Sequence, residues 1–118
     1  MNKNVMIGLL VGTVVLVGGF VVLAGFKKPA RNFTVLAQCL TEKGVTMYGA
    51  YWCPHCQRQK KAFGEAWQYV PYVECTQETQ KCLDNGVKGY PTWIWPDGKR
   101  MEGEVELEKL AIESQCSI

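Results

Sequence analysis

The chain has 118 residues, of which 47% are hydrophobic and 20% charged, and its formal net charge at pH 7 is +2. A chain of this length forms one small domain. Four of the 13 Lys and Arg residues precede residue 32, so the remainder has 9 basic against 11 acidic side chains and a net charge of −2. This balance excludes the basic surface that nucleic-acid-binding domains use.

The first predicted element is a transmembrane helix. An uncharged apolar run begins at Val5 and ends at Phe26, a length of 22 residues. A helix of this length spans the roughly 30 Å hydrocarbon core of a bilayer. A cleaved signal peptide is the alternative, but its apolar stretch is roughly 7 to 15 residues long and ends in a small-x-small cleavage site. We therefore predict that residues 1–31 form an anchor and linker, and that residues 32–118 form the working domain.

The orientation of this anchor is predicted from two opposing signals. Lys3 lies on one side of the span and Lys27, Lys28 and Arg31 lie on the other, which by the positive-inside rule favours a cytoplasmic domain. All six cysteines lie in residues 32–118, and such a density is typical of an oxidising compartment. Because the charge excess is small, we expect the domain on the periplasmic or lumenal side.

The domain alternates helical and strand patterns. Apolar spacing predicts helices over 33–43, 54–69, 79–85 and 107–114, and β-branched and aromatic runs predict strands over 45–52, 70–75, 92–95 and 99–102. The order αβαβαββα predicts an α/β domain in which a parallel strand pair is followed by a hairpin and covered by helices.

A Cys-Pro-His-Cys motif lies where the first strand ends and the second helix begins. Cys53 falls at the helix N-cap and Pro54 at the first helical position, where its missing N–H costs nothing. The helix N-terminus and a protonated His55 stabilise a thiolate on Cys53, which makes its disulfide a stronger oxidant. One turn into the helix, Cys56 is placed to resolve a mixed disulfide formed at Cys53.

Other uses of this motif fit less well. A zinc knuckle needs a second closely spaced ligand pair, and His55 is the single histidine of the chain. A c-type haem site needs histidine directly after the second cysteine, where the chain has Gln57. We predict a redox pair without metal or cofactor. A copper or zinc carrier that uses Cys53 and Cys56 as ligands is the alternative from another class.

These residues resemble the thioredoxin superfamily over about 33–114. The resemblance rests on the stretch from Trp52 to Cys56 and, later in the chain, on Tyr90-Pro91-Thr92. It implies a thioredoxin-like fold with a central mixed four-stranded sheet covered by helices. It also implies a cis bond before Pro91 and a substrate-binding surface at Tyr90 and Pro91. Because Trp52 adjoins Cys53, we expect it at the exposed rim of this site, in contact with substrate.

Three segments, MYGAYWCPHC, YVEC and GYPTW, are more specifically similar to the thioredoxin-like domain fused to bacterial and plant vitamin K epoxide reductase homologues. That resemblance implies a thiol–disulfide oxidoreductase that passes disulfides from a quinone-linked membrane partner to exported proteins. With one predicted span here, the partner would act in trans. Met47 replaces the buried acid of ordinary thioredoxins, which disfavours the alternative of a membrane-bound reductase.

Four cysteines lie outside the motif. Cys75 and Cys82 flank the connection between a predicted strand and the next helix, and we expect them to form an accessory disulfide. Cys39 and Cys116 fall in or beside the first and last helices, which in thioredoxin-like folds tend to cover opposite faces of the sheet. We therefore expect no bridge between them and interpret both as small packing residues.

Overall fold

The computed structural model describes residues 31–118, and the predicted transmembrane segment 5–26 lies outside this range. Within 31–118, no helix is both long enough and apolar enough to cross a membrane. The helices are α1 (Thr34–Glu42), α2 (Pro54–Phe63), the 3₁₀ helix Gly64–Tyr69, α3 (Thr79–Asp84) and α4 (Leu107–Ser114), and the strands are β1 (Thr46–Gly49), β2 (Tyr72–Glu74), β3 (Thr92–Ile94) and β4 (Arg100–Glu102). The predicted element order is confirmed.

One predicted element is divided in two. The apolar pattern predicts a single helix over 54–69, but α2 ends at Phe63 and Gly64 adopts φ +57°. This positive φ is a conformation that glycine adopts without steric cost, and it ends the α-helical ladder. The chain continues as a 3₁₀ helix, which keeps the side chains of Ala66 and Trp67 against the core.

The four strands form one mixed sheet in the order β2-β1-β3-β4. β1 pairs in parallel with β2, with Met47 opposite Tyr72, and antiparallel with β3, with Met47 opposite Trp93. β3 and β4 form the predicted hairpin. Its turn is stabilised by a hydrogen bond from the N–H of Lys99 to Oδ1 of Asp97 (2.9 Å). The α/β fold class with a mixed four-stranded sheet is confirmed.

Side chains of successive strand residues point to opposite faces of the sheet, and each face has its own apolar cluster. Met47 belongs to a cluster with the buried faces of α1, α2 and α4, whereas Tyr48 belongs to a smaller cluster with α3. The larger cluster includes Leu36, Leu40, Cys56, Phe63, Trp93, Leu107 and Leu110. The first and last helices therefore cover the same face.

This placement explains a disulfide that the sequence analysis rejected. Cys39 and Cys116 are bonded, with 5.9 Å between their Cα atoms. The expectation of no bridge was wrong because it assumed that α1 and α4 lie on opposite faces. After α4, Gln115 adopts a left-handed conformation and the N–H of Cys116 donates to the carbonyl of Ala111 (2.8 Å), which turns the chain back. Cys116 is then half-buried against the cluster that contains α1.

The accessory disulfide is present on the other face. Cys75 and Cys82 are bonded, with 5.7 Å between their Cα atoms, and both side chains are buried in the cluster beside α3. The predicted pairing of these two residues is therefore confirmed. Within residues 31–118, the structure leaves two free thiols, those of Cys53 and Cys56.

Candidate active site

Cys53 begins α2, as the motif predicts. It is the N-cap residue, with an extended backbone (φ −74°, ψ 119°), and Pro54 occupies the first turn. The N–H of Cys56 donates to Sγ of Cys53 at 3.4 Å, and the Cys53 thiol lies 3.6 Å from the carbonyl oxygen of Tyr90. An N–H at a helix start that points at sulfur stabilises negative charge there. Sγ of Cys53 therefore lies between the N–H of Cys56 on α2 and the carbonyl of Tyr90 in the loop before β3.

The second cysteine of the motif is enclosed. Cys56 has no exposed surface, and Cys53 has 4%. Burial raises the pKa of Cys56 to about 12, with the Cys53 side chain also raising it and a backbone hydrogen bond involving Ala50 opposing the change. Both cysteines are thus buried, and of the two Cys53 alone keeps any exposed surface.

Gly49, the last residue of β1, provides the space for this thiol. A Cβ atom added to Gly49 would lie 2.8 Å from Sγ of Cys56 and 3.2 Å from a ring carbon of Tyr72. Both distances are shorter than ordinary van der Waals contact. No local sequence pattern singles out this glycine, because the residue that requires its small size comes from a different element.

The loop before β3 forms the exposed side of the site. The Tyr90–Pro91 peptide bond is cis, as the resemblance implies, and Pro91 is buried. The Tyr90 ring packs edge-to-face against Trp52, with 6.0 Å between centroids. Trp52 remains 56% exposed. Exposed aromatic surface therefore flanks Cys53.

His55 lies on the exposed face of α2 in a small charged cluster. Its Nδ1 atom is 2.8 Å from Oε1 of Glu104 and 2.7 Å from Nη2 of Arg58, and Nε of Arg58 is 2.6 Å from the same carboxylate oxygen. Hydrogen bonds from His55 and Arg58 hold the pKa of Glu104 below its ordinary value. The motif alone predicts a cation at His55 but not its carboxylate partner, which is distant in sequence.

A buried glutamine fixes α2 to the segment before α4. Gln59, 2% exposed, donates from Nε2 to the carbonyl of Val105 (2.9 Å) and accepts the N–H of Val105 at Oε1 (2.7 Å). The indole N–H of Trp93 reaches the same Oε1 at 3.5 Å. A fully buried amide is tolerated only when its polar atoms are paired. The sequence offers one indication of this burial, since Gln59 lies on the same side of α2 as Cys56.

Behind the cysteine pair, β2 contributes polar groups. The Tyr72 hydroxyl donates to Oε1 of Glu74 (3.0 Å), and burial and this carboxylate raise the Tyr72 pKa. Nζ of Lys60 lies 4.0 Å from the centre of the Tyr72 ring and 5.5 Å from that of Trp67. Lys60 is thus half-buried in a cation–π contact rather than part of a fully solvated helix face.

In the part of the chain that the structure describes, no three side chains of His, Cys, Asp or Glu are grouped so as to hold a metal ion. His55 and Glu104 are joined by Arg58, a cation that cannot coordinate a metal ion.

Comparison with known proteins agrees with this geometry. The family model described as Thioredoxin matches residues 27–115. The chain belongs to the thioredoxin family.

Two curated relatives of this thioredoxin-family chain are similar to it over part of their length. Thiol-disulfide oxidoreductase LTO1 of Arabidopsis thaliana is 45% identical over 85 residues, which cover 64% of this chain and 22% of that relative. A thioredoxin domain-containing protein 5 homolog of Drosophila melanogaster is 40% identical over 62 residues, covering 45% of this chain and 15% of that relative. The chain thus spans less than a quarter of either.

Among solved structures, thioredoxin NaTrxh from Nicotiana alata is similar, with 21% sequence identity and a TM-score of 0.41. The match covers 60% of this chain and 67% of that one.

Proposed function

We propose that this chain is a membrane-anchored thiol–disulfide oxidoreductase that transfers disulfides to exported proteins. One observation carries the proposal: Cys53 lies at the start of α2 beside the carbonyl of Tyr90, and Cys56 is enclosed directly behind it. This arrangement lets an incoming chain reach one sulfur and leaves the other as an internal partner. The name of the Arabidopsis relative, a thiol-disulfide oxidoreductase, supports the same reaction class.

The proposed reaction begins from the Cys53–Cys56 disulfide. A substrate thiolate attacks Sγ of Cys53, the bond between the two cysteines breaks, and its electron pair leaves on Cys56. A second substrate thiolate then attacks the substrate sulfur of the mixed disulfide and releases Cys53. The substrate loses two electrons and gains a disulfide, while the cysteine pair is reduced to a dithiol.

Substrate binding is assigned to the aromatic rim. The backbone of Tyr90, fixed by the cis bond to Pro91, is proposed to pair with the extended substrate chain, and Trp52 to pack against its side chains. Pro54 and His55 are proposed to tune the redox pair. A pocket of this kind accepts many sequences, because backbone pairing carries no side-chain requirement.

Reoxidation is assigned to a quinone-linked membrane protein, similar to vitamin K epoxide reductase, that acts in trans. The apolar run 5–26 supports this assignment because an anchor would hold the domain beside such a partner. The domain is placed on the periplasmic or lumenal side, where its two additional disulfides persist. Protease accessibility on sealed membranes tests this orientation. A domain found on the cytoplasmic side would contradict it.

The central experiment is Cys56→Ser in the full chain. Without the internal partner, mixed disulfides at Cys53 should accumulate and be recovered with their substrates and with the membrane protein that reoxidises the pair. Cys53→Ser is the matched control and should trap neither. The reduction potential then sets the direction of the reaction: we expect a value above about −200 mV, and a value near about −270 mV would assign the chain to reduction instead.

A further inference from the structure

The proposed reaction places a negative charge on a sulfur that the protein encloses. When a substrate thiolate attacks Cys53, the electron pair of the broken bond leaves on Sγ of Cys56, which has no exposed surface. Burial raises the pKa of this thiol to about 12. A buried charge is costly unless an opposite charge or a hydrogen bond compensates it, and a thiolate of high pKa is a poor leaving group. A positive charge near Cys56 would therefore speed the reaction.

Lys60 places a positive charge one helical turn from this sulfur. It follows Cys56 by four residues in α2, and residues at that spacing are neighbours on a helix, with about 5 to 6 Å between their Cβ atoms. Its side chain is half-buried. In agreement with this placement, the charge of Lys60 lowers the pKa of Cys56 and so opposes part of the effect of burial.

Two aromatic rings hold the ammonium group near the core. Nζ of Lys60 lies 4.0 Å from the centre of the Tyr72 ring and 5.5 Å from that of Trp67, and the two rings pack against each other with 5.5 Å between their centres. The Tyr72 ring also borders the cysteine, because a Cβ atom added to Gly49 would lie 3.2 Å from this ring and 2.8 Å from Sγ of Cys56. The ring that binds the ammonium group and the sulfur on which the charge forms thus flank the same strand residue.

This contact leaves the charge of Lys60 uncompensated. An aromatic ring attracts a cation through its quadrupole but carries no net charge. Within residues 31–118 Lys60 forms no ion pair, whereas Arg58 on the same helix is paired with Glu104. Lys61, the next residue, is exposed, so water and salt screen its charge. Of the two lysines of α2, Lys60 alone is partly shielded from solvent.

We propose that Lys60 stabilises, through its charge, the thiolate that forms on Cys56 as the disulfide with Cys53 breaks. Tyr72 and Trp67 hold the ammonium group in place for this role, which rests on the proposed function. The attacking substrate thiolate brings one negative charge, and its electron pair forms the new bond to Sγ of Cys53. The electron pair of the old bond and the negative charge end on Sγ of Cys56, so that Cys56 is reduced and the substrate sulfur oxidised. In the reverse step the Cys56 thiolate attacks the mixed disulfide, and the charge leaves on the substrate sulfur.

A charge that acts on this thiolate changes rates rather than the equilibrium. The transition state of both directions carries part of the negative charge on Sγ of Cys56, whereas the disulfide and the protonated Cys56 thiol carry none. Loss of the Lys60 charge should therefore slow both directions by the same factor. It should leave the ratio of oxidised to reduced protein nearly unchanged.

Lys60→Met tests this role in the full chain, because it removes the charge and keeps an apolar stem of similar length. For the leaving direction, the oxidised chain reacts with dithiothreitol at pH 7, and the thiol released at Cys56 is alkylated and measured by mass spectrometry. For the attacking direction, the reduced chain reacts with 5,5′-dithiobis(2-nitrobenzoate), and release of the second thionitrobenzoate reports attack by Cys56. We expect about tenfold slowing in both. In the attacking direction, the smaller thiolate fraction is offset in part by the greater nucleophilicity of a more basic sulfur.

Lys61→Met is the matched control, because it removes the same charge from the exposed neighbour of Lys60. Both of its rates should match the wild type. Lys60→Arg keeps a cation that stacks on the same rings and should stay within about threefold of the wild type. The equilibrium constant of the cysteine pair with glutathione should change less than about twofold in all three variants.

The outcomes separate this inference from the proposed function. A wild-type chain that releases no second thionitrobenzoate would remove the function itself. If the wild type releases both but Lys60→Met slows no more than Lys61→Met, the role of Lys60 is refuted and the oxidoreductase stands. A change in the equilibrium constant as large as the change in rate would also refute this role, because altered packing rather than lost charge would then be responsible. Equal slowing in both directions, with rescue by Lys60→Arg, supports it.

Discussion

Gly49→Ala is the sharpest test of the packing around the buried thiol. The new methyl group would lie 2.8 Å from Sγ of Cys56 and 3.2 Å from the Tyr72 ring, both well inside contact distance. Overpacking of this kind costs about 1 to 3 kcal/mol. The loss of backbone freedom in the unfolded chain opposes it by about 0.4 to 1 kcal/mol.

Gly89→Ala supplies the matched control. No atom beyond its chain neighbours lies within 4 Å of a Cβ added to Gly89, and its φ is outside the left-handed range. Both variants share the unfolded-state contribution, so the difference between their unfolding free energies isolates the overpacking. We expect Gly49→Ala to be less stable than Gly89→Ala by about 1 to 3 kcal/mol in urea unfolding of the full chain.

A double-mutant cycle identifies the atom responsible. Gly49→Ala introduced into Cys56→Ala should cost less than in the wild type, because the sulfur that it crowds is gone. Equal stability of Gly49→Ala and Gly89→Ala would refute the close approach of β1 to the Cys56 thiol. If the double-mutant cycle shows no coupling energy, the steric conflict of the new methyl group is with Tyr72 alone.

Two further predictions concern the disulfides and an exposed carboxylate. Replacing Cys39 and Cys116 by alanine should cost more stability than replacing Cys75 and Cys82, because the loops closed have sequence separations of 77 and 7. The chain-entropy relation gives about 4.5 and about 2.4 kcal/mol, and equal losses in urea unfolding would contradict it. Because the pKa of Glu104 is lowered on folding, its stabilising contribution is present above its ordinary pKa of 4.5 and is lost as the pH falls through the lower folded value. Glu104→Gln should therefore lower the Tm at neutral pH and flatten its decline in acid, and a wild-type acid profile in this variant would show that the cluster contributes nothing.

Much of the fold could be predicted from local pattern. The apolar spacing of α1 and α4 and the β-branched runs of β1 and β3 placed these elements within a few residues of where they lie. The residues of the Cys-Pro-His-Cys motif could be placed because N-capping is decided by neighbours in sequence. The break at Gly64 was missed because an apolar pattern does not report a backbone dihedral.

The sequence pattern could not predict which elements far apart in sequence lie against each other. The Cys39–Cys116 disulfide depends on both terminal helices covering one face of the sheet, and the hydrophobic stripe of a helix does not specify which face it covers. For the same reason the sequence did not indicate the partner of His55, because Glu104 lies in the connection after β4. Gly49 was missed for a related reason, because its significance comes from the Cys56 side chain.

The buried Gln59 has a mechanical consequence. Its amide holds both the N–H and the carbonyl of Val105, so α2 is joined to that backbone as one strand is joined to another. Together with the buried side chains of Cys56 and Phe63, these two hydrogen bonds hold the orientation of α2 about its own axis. The angular position of His55 on α2 is therefore set from inside the protein and does not depend on Glu104, the residue beside Val105. Removing that carboxylate changes the field at the redox pair while the helix that carries the pair keeps its orientation.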